Sequence, residues 1–396
     1  MPHDDRMSPL ELRASLALSS IFGLRMLGLF LILPVFAVHA RGLPGGESTT
    51  LVGLALGIYG LTQGLLQIPF GAASDRFGRK PVIVIGLVIF AIGSVMAALA
   101  TDVWETIIGR AVQGAGAISA AVTAYIADAT RDEQRTKAMA MVGVAIGLTF
   151  ALSLIGAPPL YAHMGMSGLF VLIGVLSTMA VGVIVWVVPD LPARAATAGR
   201  AVPWQDIALD PQLLRLNFGV FVLHAVQMAM FVVVPVLLVD LGLPLPEHGW
   251  VYLPVVLLSF ALMMPPLLGA ERRGRMRLLF LVSIALLMAA QIGIGWIAHS
   301  VFALAIWLLV FFVGFNVLEA SLPSLTTRLA PAASKGLALG VYNTTQAIGL
   351  FVGGAAGGWL ARHTGASGVF AFGAVVLLLW LFVASGMREL PVTGDQ

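Results

Sequence analysis

The chain has 396 residues, of which 59% are hydrophobic and 10% are charged, and its mean hydropathy is +0.98. A soluble globular domain has about half apolar and about a quarter charged residues, so this composition excludes a soluble fold and indicates an all-α membrane protein. The chain has no cysteine, which excludes disulfides, cysteine-based metal sites and thiol nucleophiles. We expect neither a cofactor nor a metal.

Apolar runs that are long enough to cross a hydrocarbon core of ~30 Å recur along the chain. Charged residues, glycine or proline separate them, and they predict twelve transmembrane helices. The predicted spans lie near residues 15–38, 51–73, 81–100, 103–127, 137–160, 167–188, 214–239, 249–269, 277–297, 301–325, 336–361 and 366–387. Because twelve is an even number, both termini are expected on the same side of the membrane.

The basic residues are divided unequally between the two sets of loops. Only Arg41 and Arg362 fall in the loops opposite the termini, and Arg25 and Arg110 lie inside spans. The positive-inside rule therefore places both termini in the cytoplasm, with Arg41, His163 and Arg362 outside the cell inner (plasma) membrane. This division also explains the isoelectric point of about 9.5 better than nucleic-acid binding does, since the basic residues form no continuous stripe.

The two halves of the chain are similar in pattern. A shift of 196 residues places Asp75 over Glu271, and a shift of 198 residues places "TKAMA" over "SKGLA" at the starts of spans five and eleven. Nearly equal shifts predict a duplicated unit of six helices, with both copies inserted in the same direction. The predicted domains are an N-terminal six-helix bundle (1–188), a cytoplasmic linker (189–213) and a C-terminal six-helix bundle (214–396).

The most concentrated charge between two apolar runs is in "GAASDRFGRK", residues 71–80. Gly71 and Gly78 are expected to form tight turns there, and Pro81 is expected to begin the third helix. Asp75 and Arg79 are four residues apart, a spacing that lets them pair if the segment is helical.

Several segments resemble a known family. "GAASDRFGRK" resembles the loop 2–3 signature of the major facilitator superfamily, and "GRAVQGAGAISAA" (109–121) is similar to the fourth-helix signature of its proton-linked members. "FGLRMLG", "GIYGLTQ" and "FNVLEASLPS" resemble the YajR-type branch of the drug/proton antiporter family. One departure concerns the fifth-helix antiporter signature, since Ala157-Pro158 stands where Gly-Pro is expected and the following glycine pair is missing.

The resemblance implies a role for the charged segment. In this superfamily the cluster lies where the two halves meet when the cytoplasmic side is shut, and Asp75 would face the positive N-terminal end of span eleven. A conformational latch is therefore predicted, and the alternative is that the charges only anchor the loop in the cytoplasm. The predicted latch residues are Gly71, Asp75, Arg76, Gly78, Arg79 and Asp128.

Polar side chains inside the spans are the predicted functional residues, because a charge at the bilayer centre costs about 3 kcal/mol or more. The alternative for the amides and for the histidine is that they only join helices by hydrogen bonds. The predicted coupling residues are Glu319, Arg25, Arg110 and His224. The predicted substrate-cavity residues are Tyr59, Gln63, Gln67, Gln113, Gln227, Asn316, Asn343 and Gln346.

Enzyme signatures are missing from the sequence, which has no GxxxxGK[ST], HExxH or GxSxG segment. The sequence predicts a monomeric secondary transporter that exchanges protons for a small organic compound by alternating access. Glu319 would carry the proton, and two arginines against one carboxylate favour a neutral or anionic substrate. The alternatives are proton-symport or facilitated uptake of a metabolite, and a receptor or membrane enzyme without transport.

Overall fold

A computed structural model describes residues 7–190, 207, 209–331 and 334–387. All regular secondary structure in these ranges is helical, and none of their residues forms a strand. The fold is therefore the predicted all-α one. Most of the predicted linker 189–213 lies outside the described residues.

Within the described ranges, twelve α-helices follow one another in chain order, and ten stretches of them are long and apolar enough to cross a membrane. The helices α1 and α2 together form one such stretch, and so do α5 and α6. Their bounds are α1 (Pro9–Phe30), α2 (Leu33–His39), α3 (Thr49–Phe77), α4 (Arg79–Ala98), α5 (Val103–Ala115), α6 (Ser119–Ala129), α7 (Asp132–Gly182), α8 (Pro211–Asp240), α9 (Gly249–Arg272), α10 (Met276–Trp296), α11 (Val301–Leu329) and α12 (Lys335–Ser385).

Two helices are too long for a single crossing. Both α7 and α12 have 51 residues, which corresponds to about 77 Å of helix against a hydrocarbon core of ~30 Å. Each is interrupted by one glycine with non-helical backbone angles, Gly165 at φ 66° and Gly365 at φ 72°. Counting each of these helices as two crossings gives the predicted twelve, and the matched position of the two glycines agrees with a duplicated unit.

The charged segment 71–80 differs from its predicted form. The prediction of a turn at Gly71 is wrong, because α3 continues through this residue to Phe77. A methyl group at Gly71 would lie 3.3 Å from Ala120, so this glycine allows close packing against α6. The chain turns at Gly78, where φ is 95°, and α4 begins there at Arg79 rather than at Pro81. The charged residues can extend the apolar helix by one more turn, because such a turn lies in the polar interfacial region of the membrane.

Two other predicted spans also differ in detail. The first helix begins at Pro9 rather than near residue 15, because Ser8 and Glu11 form a capping box at its start. The predicted fourth span is interrupted between α5 and α6, where residues 116–118 are not helical. This interruption places Ser119 at the start of α6.

The first half of the chain (up to residue 190) meets the second half (from residue 209) along α3 and α12. A methyl group at Gly53 would lie 2.1 Å from the carbonyl oxygen of Gly354, and one at Gly60 would lie 2.4 Å from that of Ala347. At Gly64 the nearest atom would be 3.4 Å away, which is an ordinary contact. The two backbones therefore touch directly over the first part of α3 and separate farther along it.

We call the two ends of the bundle the Arg41 end and the Asp75 end. At the Arg41 end, polar contacts join the two halves, since Arg41 pairs with Asp240 at 3.2 Å. In addition, Arg362 Nη1 donates a hydrogen bond of 2.8 Å to Ser48 Oγ. The halves are therefore closed on one another at the Arg41 end.

Toward the Asp75 end the contact between α3 and α12 is lost. Gly340 is seven residues before Ala347, so it lies on the same face of α12. A methyl group at Gly340 would have nothing within 4 Å. A cleft between the halves therefore widens toward the Asp75 end.

The close approach at Gly53 predicts the effect of adding a single methyl group. Gly53→Ala is expected to lower the free energy of unfolding by about 1–3 kcal/mol, because backbone atoms of α12 must shift. Thermal unfolding of the purified protein measures this. Gly143→Ala is the matched control, since a methyl group there would have nothing within 4 Å. Equal unfolding midpoints for the two variants would show that the helices are not in direct contact.

Candidate functional site

The cleft is bounded on the side of the Arg41 end by aromatic rings from both halves. Phe150 of α7 lies with its ring centroid 5.7 Å from that of Phe312 and 5.9 Å from that of Phe315, both on α11. The ring of Phe30 in α1 contacts Phe150 edge to face at 5.0 Å. We call these four residues the aromatic contact. It joins the two halves on the side of the cleft that is nearer the Arg41 end.

Glu319 lies one turn beyond the aromatic contact. It follows Phe315 by four residues and Phe312 by seven, which places all three on one face of α11. This helix runs toward the Asp75 end, where Arg328 pairs with Glu271. The Glu319 side chain is 27% exposed, so its carboxylate reaches the cleft that opens toward the Asp75 end.

Three predicted residues from three helices converge at this point. His224 of α8 is buried, and its Nε2 lies 3.5 Å from Glu319 Oε2. The same Nε2 lies 2.7 Å from the amide nitrogen of Gln346 in α12, and Nδ1 lies 3.0 Å from the carbonyl oxygen of Val220. The predicted coupling residues His224 and Glu319 are therefore close to one another, together with the predicted cavity residue Gln346.

These contacts determine where the hydrogen of the neutral imidazole is. A carbonyl oxygen only accepts, so Nδ1 of His224 donates to Val220, and Nε2 accepts from the Gln346 amide. A proton added at Nε2 would point toward either partner, and the Glu319 carboxylate can accept it. The Nε2 atom of His224 thus lies between an amide donor and a carboxylate oxygen.

The two buried arginines lie elsewhere, inside the first half. Arg25 of α1 is 1% exposed, and its Nη1 donates a hydrogen bond of 2.5 Å to Ser119 Oγ. Arg110 of α5 is also 1% exposed, and its Nη1 donates to the carbonyl oxygen of Gly28 at 3.1 Å and to Gln113 Oε1 at 2.6 Å. These bonds tie α1, α5 and α6 together.

Tyr59 of α3 lies beside both arginines. The centroid of its ring is 5.7 Å from the guanidinium carbon of Arg25 and 5.0 Å from that of Arg110. Both distances are in the range of cation–π contacts. The structure thus joins Arg25, Arg110, Tyr59 and Gln113 into one cluster, and this cluster is separate from the Glu319 site.

The predicted pairing of Glu319 with an arginine is not seen in this arrangement of the halves. The basic side chain within 4 Å of Glu319 is His224, which carries a charge only when it is protonated, and the two arginines bond to residues of the first half. The role of the arginines in coupling stays a prediction.

The remaining predicted cavity residues differ in their surroundings. Gln63, Gln67 and Gln227 are buried among helices. Asn316 donates a hydrogen bond of 2.9 Å to Ser259 Oγ, which joins α11 to α9, whereas Asn343 is only half-buried. Substrate contact by these residues stays a prediction. Among the described residues, no group of three His, Asp or Glu side chains is placed to hold a metal ion.

The predicted latch residues form ion pairs at the Asp75 end. Arg79 pairs with Asp75, and its Nε lies 3.0 Å from Asp128 Oδ2. Arg79 also donates a hydrogen bond of 2.7 Å to Ser74 Oγ. All of these residues belong to the first half, and the Asp75 side chain is 66% exposed, so in this arrangement the cluster stabilises the first half and does not bridge the cleft.

Sequence reasoning missed the residues of the aromatic contact and also Ser119. The signal for the first group was present, since α11 carries phenylalanine at 311, 312 and 315. In an apolar helix such residues are equally typical of lipid-facing positions. Ser119 had no signal, because its contact with Arg25 depends on the interruption between α5 and α6.

A family model described as Major Facilitator Superfamily matches residues 14–354 and 270–395. The chain belongs to this superfamily. The match confirms the resemblance seen in the sequence, and it identifies the chain as a member of a transporter family rather than an enzyme.

Two named relatives are similar over most of their length. The chain is 43% identical over 397 residues to "Inner membrane transport protein YajR" of Escherichia coli (strain K12), covering 99% of this chain and 87% of the relative. It is 26% identical to "Multidrug resistance protein MdtH" of Aeromonas hydrophila, covering 87% of this chain and 86% of the relative. The relatives support a multi-pass membrane transport protein.

Solved structures share the fold. The bacterial homolog of the human lysosomal transporter Spinster, in an inward-facing and occupied conformation, matches with a TM-score of 0.74 at 13% identity, covering 96% of both chains. The human organic anion transporter MFSD10 matches with a TM-score of 0.70 at 19% identity, covering 95% of this chain and all of that one. At these identities the likeness concerns the fold alone.

The exposed Asp75 predicts a change in the balance between conformations. If Asp75 stabilises closure of the cleft, Asp75→Asn should favour the open cleft by about 1 kcal/mol, a roughly fivefold change in the ratio of the two states. A cysteine placed at Gly340 in the cysteine-free chain should then react faster with a thiol reagent added from the Asp75 end.

Asp190→Asn is the control for this experiment, since Asp190 pairs with Lys80 at the same end and is not among the predicted latch residues. An unchanged labelling rate in Asp75→Asn and in Arg79→Ala would show that the cluster only anchors the segment.

Proposed function

We propose that this transporter exports a small organic compound in exchange for protons. The observation that carries the proposal is the site formed by Glu319, His224 and Gln346, in which a carboxylate oxygen lies 3.5 Å from an imidazole nitrogen. A carboxylate is costly within a membrane unless it is paired or hydrated, which is why such a group is a functional candidate by default.

Antiport requires that proton and substrate occupy the site alternately. When the site is deprotonated, Nε2 of His224 accepts the hydrogen bond from the Gln346 amide, as in the arrangement described above. When a proton is added, the His224 Nε2–H can donate to Glu319, and Gln346 must turn its oxygen toward the ring or leave it. The three residues come from α8, α11 and α12, so protonation changes how the second-half helices contact the cleft.

The difference between the two ends supports alternating access. The glycine contact between α3 and α12 closes the Arg41 end, and the cleft opens at the Asp75 end. In the reverse state, Asp75 would face the N-terminus of α12, where Ser334 makes no side-chain capping hydrogen bond. We further propose that the Asp75 end is cytoplasmic, as the distribution of basic residues predicts.

The cleft supports an apolar and uncharged substrate. Phe150, Phe312 and Phe315 pack against one another beside the Glu319 site and are buried in this arrangement. They would be uncovered when the halves separate at the Arg41 end, and aromatic faces bind apolar compounds. The sequence argument for an anionic substrate depended on Arg25 and Arg110 facing the cavity, and both are buried inside the first half. Export is further supported by relatives whose printed name is a multidrug resistance protein.

Proton-linked uptake is the second candidate function. One observation favours it, namely that Ala157-Pro158 replaces the Gly-Pro of the fifth-helix antiporter signature and that the glycine pair is missing. Direct measurement of the direction of transport decides between the two functions.

Replacement of Glu319 tests the proposal. A screen of a compound library, comparing cells that overexpress the protein with cells that lack it, first identifies an exported compound. Glu319→Gln keeps the shape of the side chain and removes its titration, so it should abolish pH-gradient-driven transport in reconstituted vesicles while substrate still binds. Binding by the variant should depend less on pH than binding by the wild type, because only the imidazole of the site can then still take up a proton.

Glu247→Gln is the matched control, because Glu247 is an exposed carboxylate between α8 and α9 and should leave transport unchanged. Transport by Glu319→Gln that still follows the pH gradient would contradict the proposed site. It would direct attention to His224 alone, to Asp128, or to a mechanism without proton coupling.

A further inference from the structure

The cluster around Tyr59 holds two positive charges for which the neighbouring side chains supply no negative charge. We propose that a small inorganic anion, of which chloride is the probe, binds inside the first half between Arg25, Arg110 and Tyr59. This site is distinct from the proton site at Glu319, and the proposal does not rest on the function proposed above.

The guanidinium groups of Arg25 and Arg110 are buried and positively charged. Both guanidinium groups are 1% exposed, and within the part of the chain that the structure describes neither lies within 4 Å of a carboxylate oxygen. Arg79 shows the contrast, since that arginine is less buried and contacts both Asp75 and Asp128. A buried charge without a partner is strongly unfavourable, so an anion that compensates Arg25 and Arg110 would be bound with a large gain.

Several buried hydrogen-bond donors of the cluster have no partner among the described residues. Nε and Nη2 of Arg25 and Nη2 of Arg110 are buried and have no acceptor among the described residues. The hydroxyl group of Tyr59 is also buried and has no partner there. Buried donors in native proteins are nearly always paired, and an anion is the ligand that accepts from several N–H and O–H groups at once.

The neutral groups that do contact the arginines leave the charge in place. Ser119, Gln113 and the carbonyl oxygen of Gly28 accept hydrogen bonds, and the Tyr59 ring offers the negative face of its π system. These are dipoles and a quadrupole, and none carries a net charge. The cluster therefore retains two formal positive charges in a region from which water is largely excluded.

Close packing limits the size of the anion. A methyl group at Gly28 would lie 2.4 Å from the ring of Phe90, and one at Gly114 would lie 2.2 Å from Thr62 Oγ1 and 2.3 Å from the Tyr59 carbonyl oxygen. The helices around the cluster thus leave little free space at these points. A monatomic anion suits this setting better than an organic carboxylate, which would bring several further atoms.

Thermal unfolding in detergent tests the proposal. The wild-type protein is compared in chloride and in gluconate at constant ionic strength, and the unfolding midpoint should rise by a few degrees with chloride concentration and then saturate. A midpoint that does not depend on chloride would overturn the proposal.

Thermal unfolding of a variant that lacks the Arg25 charge is a more specific test. Arg25→Gln removes one of the two uncompensated charges and keeps a group that can donate to Ser119. In gluconate this variant should be at least as stable as the wild type, and its midpoint should lose the response to chloride. Arg41→Gln, which changes an exposed arginine, is the control and should keep the response. Equal chloride responses in Arg25→Gln and wild type would contradict the site.

Bromide replaces chloride in a direct structural measurement. Crystals grown in bromide should show an anomalous-scattering peak beside Tyr59 and between the two guanidinium groups. Arg110→Gln crystals grown in the same way should lack the peak. The absence of such a peak in the wild-type protein, at bromide concentrations that saturate the stability effect, would overturn the proposal even if stability responds to chloride.

Discussion

The direct contact between the backbones of α3 and α12 is the constraint on which the rest of the structure depends. Glycine at 53, 57 and 60 and at 354 and 358 lets the helices approach until carbonyl groups of one touch the backbone of the other. A methyl group at any of these glycines would collide with backbone atoms of the facing helix unless the helices shifted. Because this approach is confined to the Arg41 end, the halves must diverge toward the Asp75 end, and the divergence exposes Glu319. The cleft thus lies on the side where the glycine contact ends, and Glu319 lies on that side.

The structure separates two kinds of charge that the sequence suggested would act together. Glu319 faces the cleft and shares its site with His224, whereas Arg25 and Arg110 are enclosed in the first half around Tyr59. The second half then carries the carboxylate that faces the cleft, and the first half carries a charged cluster that joins α1, α3, α5 and α6. Under the proposed mechanism, a change of protonation would affect the second half and leave the packing of the first half unchanged.

Much of the fold could be predicted from the sequence, because the lengths of the apolar runs and the charged, glycine or proline residues between them report on the number and order of crossings. The pairing of Asp75 with Arg79 could also be predicted, since four residues apart on a helix is a local relation. Sequence gives the depth of a residue along its helix, however, and not the rotation or tilt of that helix. For this reason the meeting of His224 with Gln346 and the burial of Arg25 behind Tyr59 required the packed structure, as did the turn at Gly71 that proved to be helix.

The halves are closed at the Arg41 end and open at the Asp75 end, and we propose that the two ends exchange these states during transport. Spin labels on the cysteine-free chain test it directly, with one pair at His163→Cys and His363→Cys for the Arg41 end and one pair at Phe77→Cys and Arg272→Cys for the Asp75 end. All four positions are exposed, and distances between the labels are measured by pulsed electron resonance in lipid at several pH values. Alternating access predicts two distances between the labels of each pair. The populations of the two distances should change in opposite directions at the two ends. A single fixed distance at both ends, or both ends widening together, would contradict it.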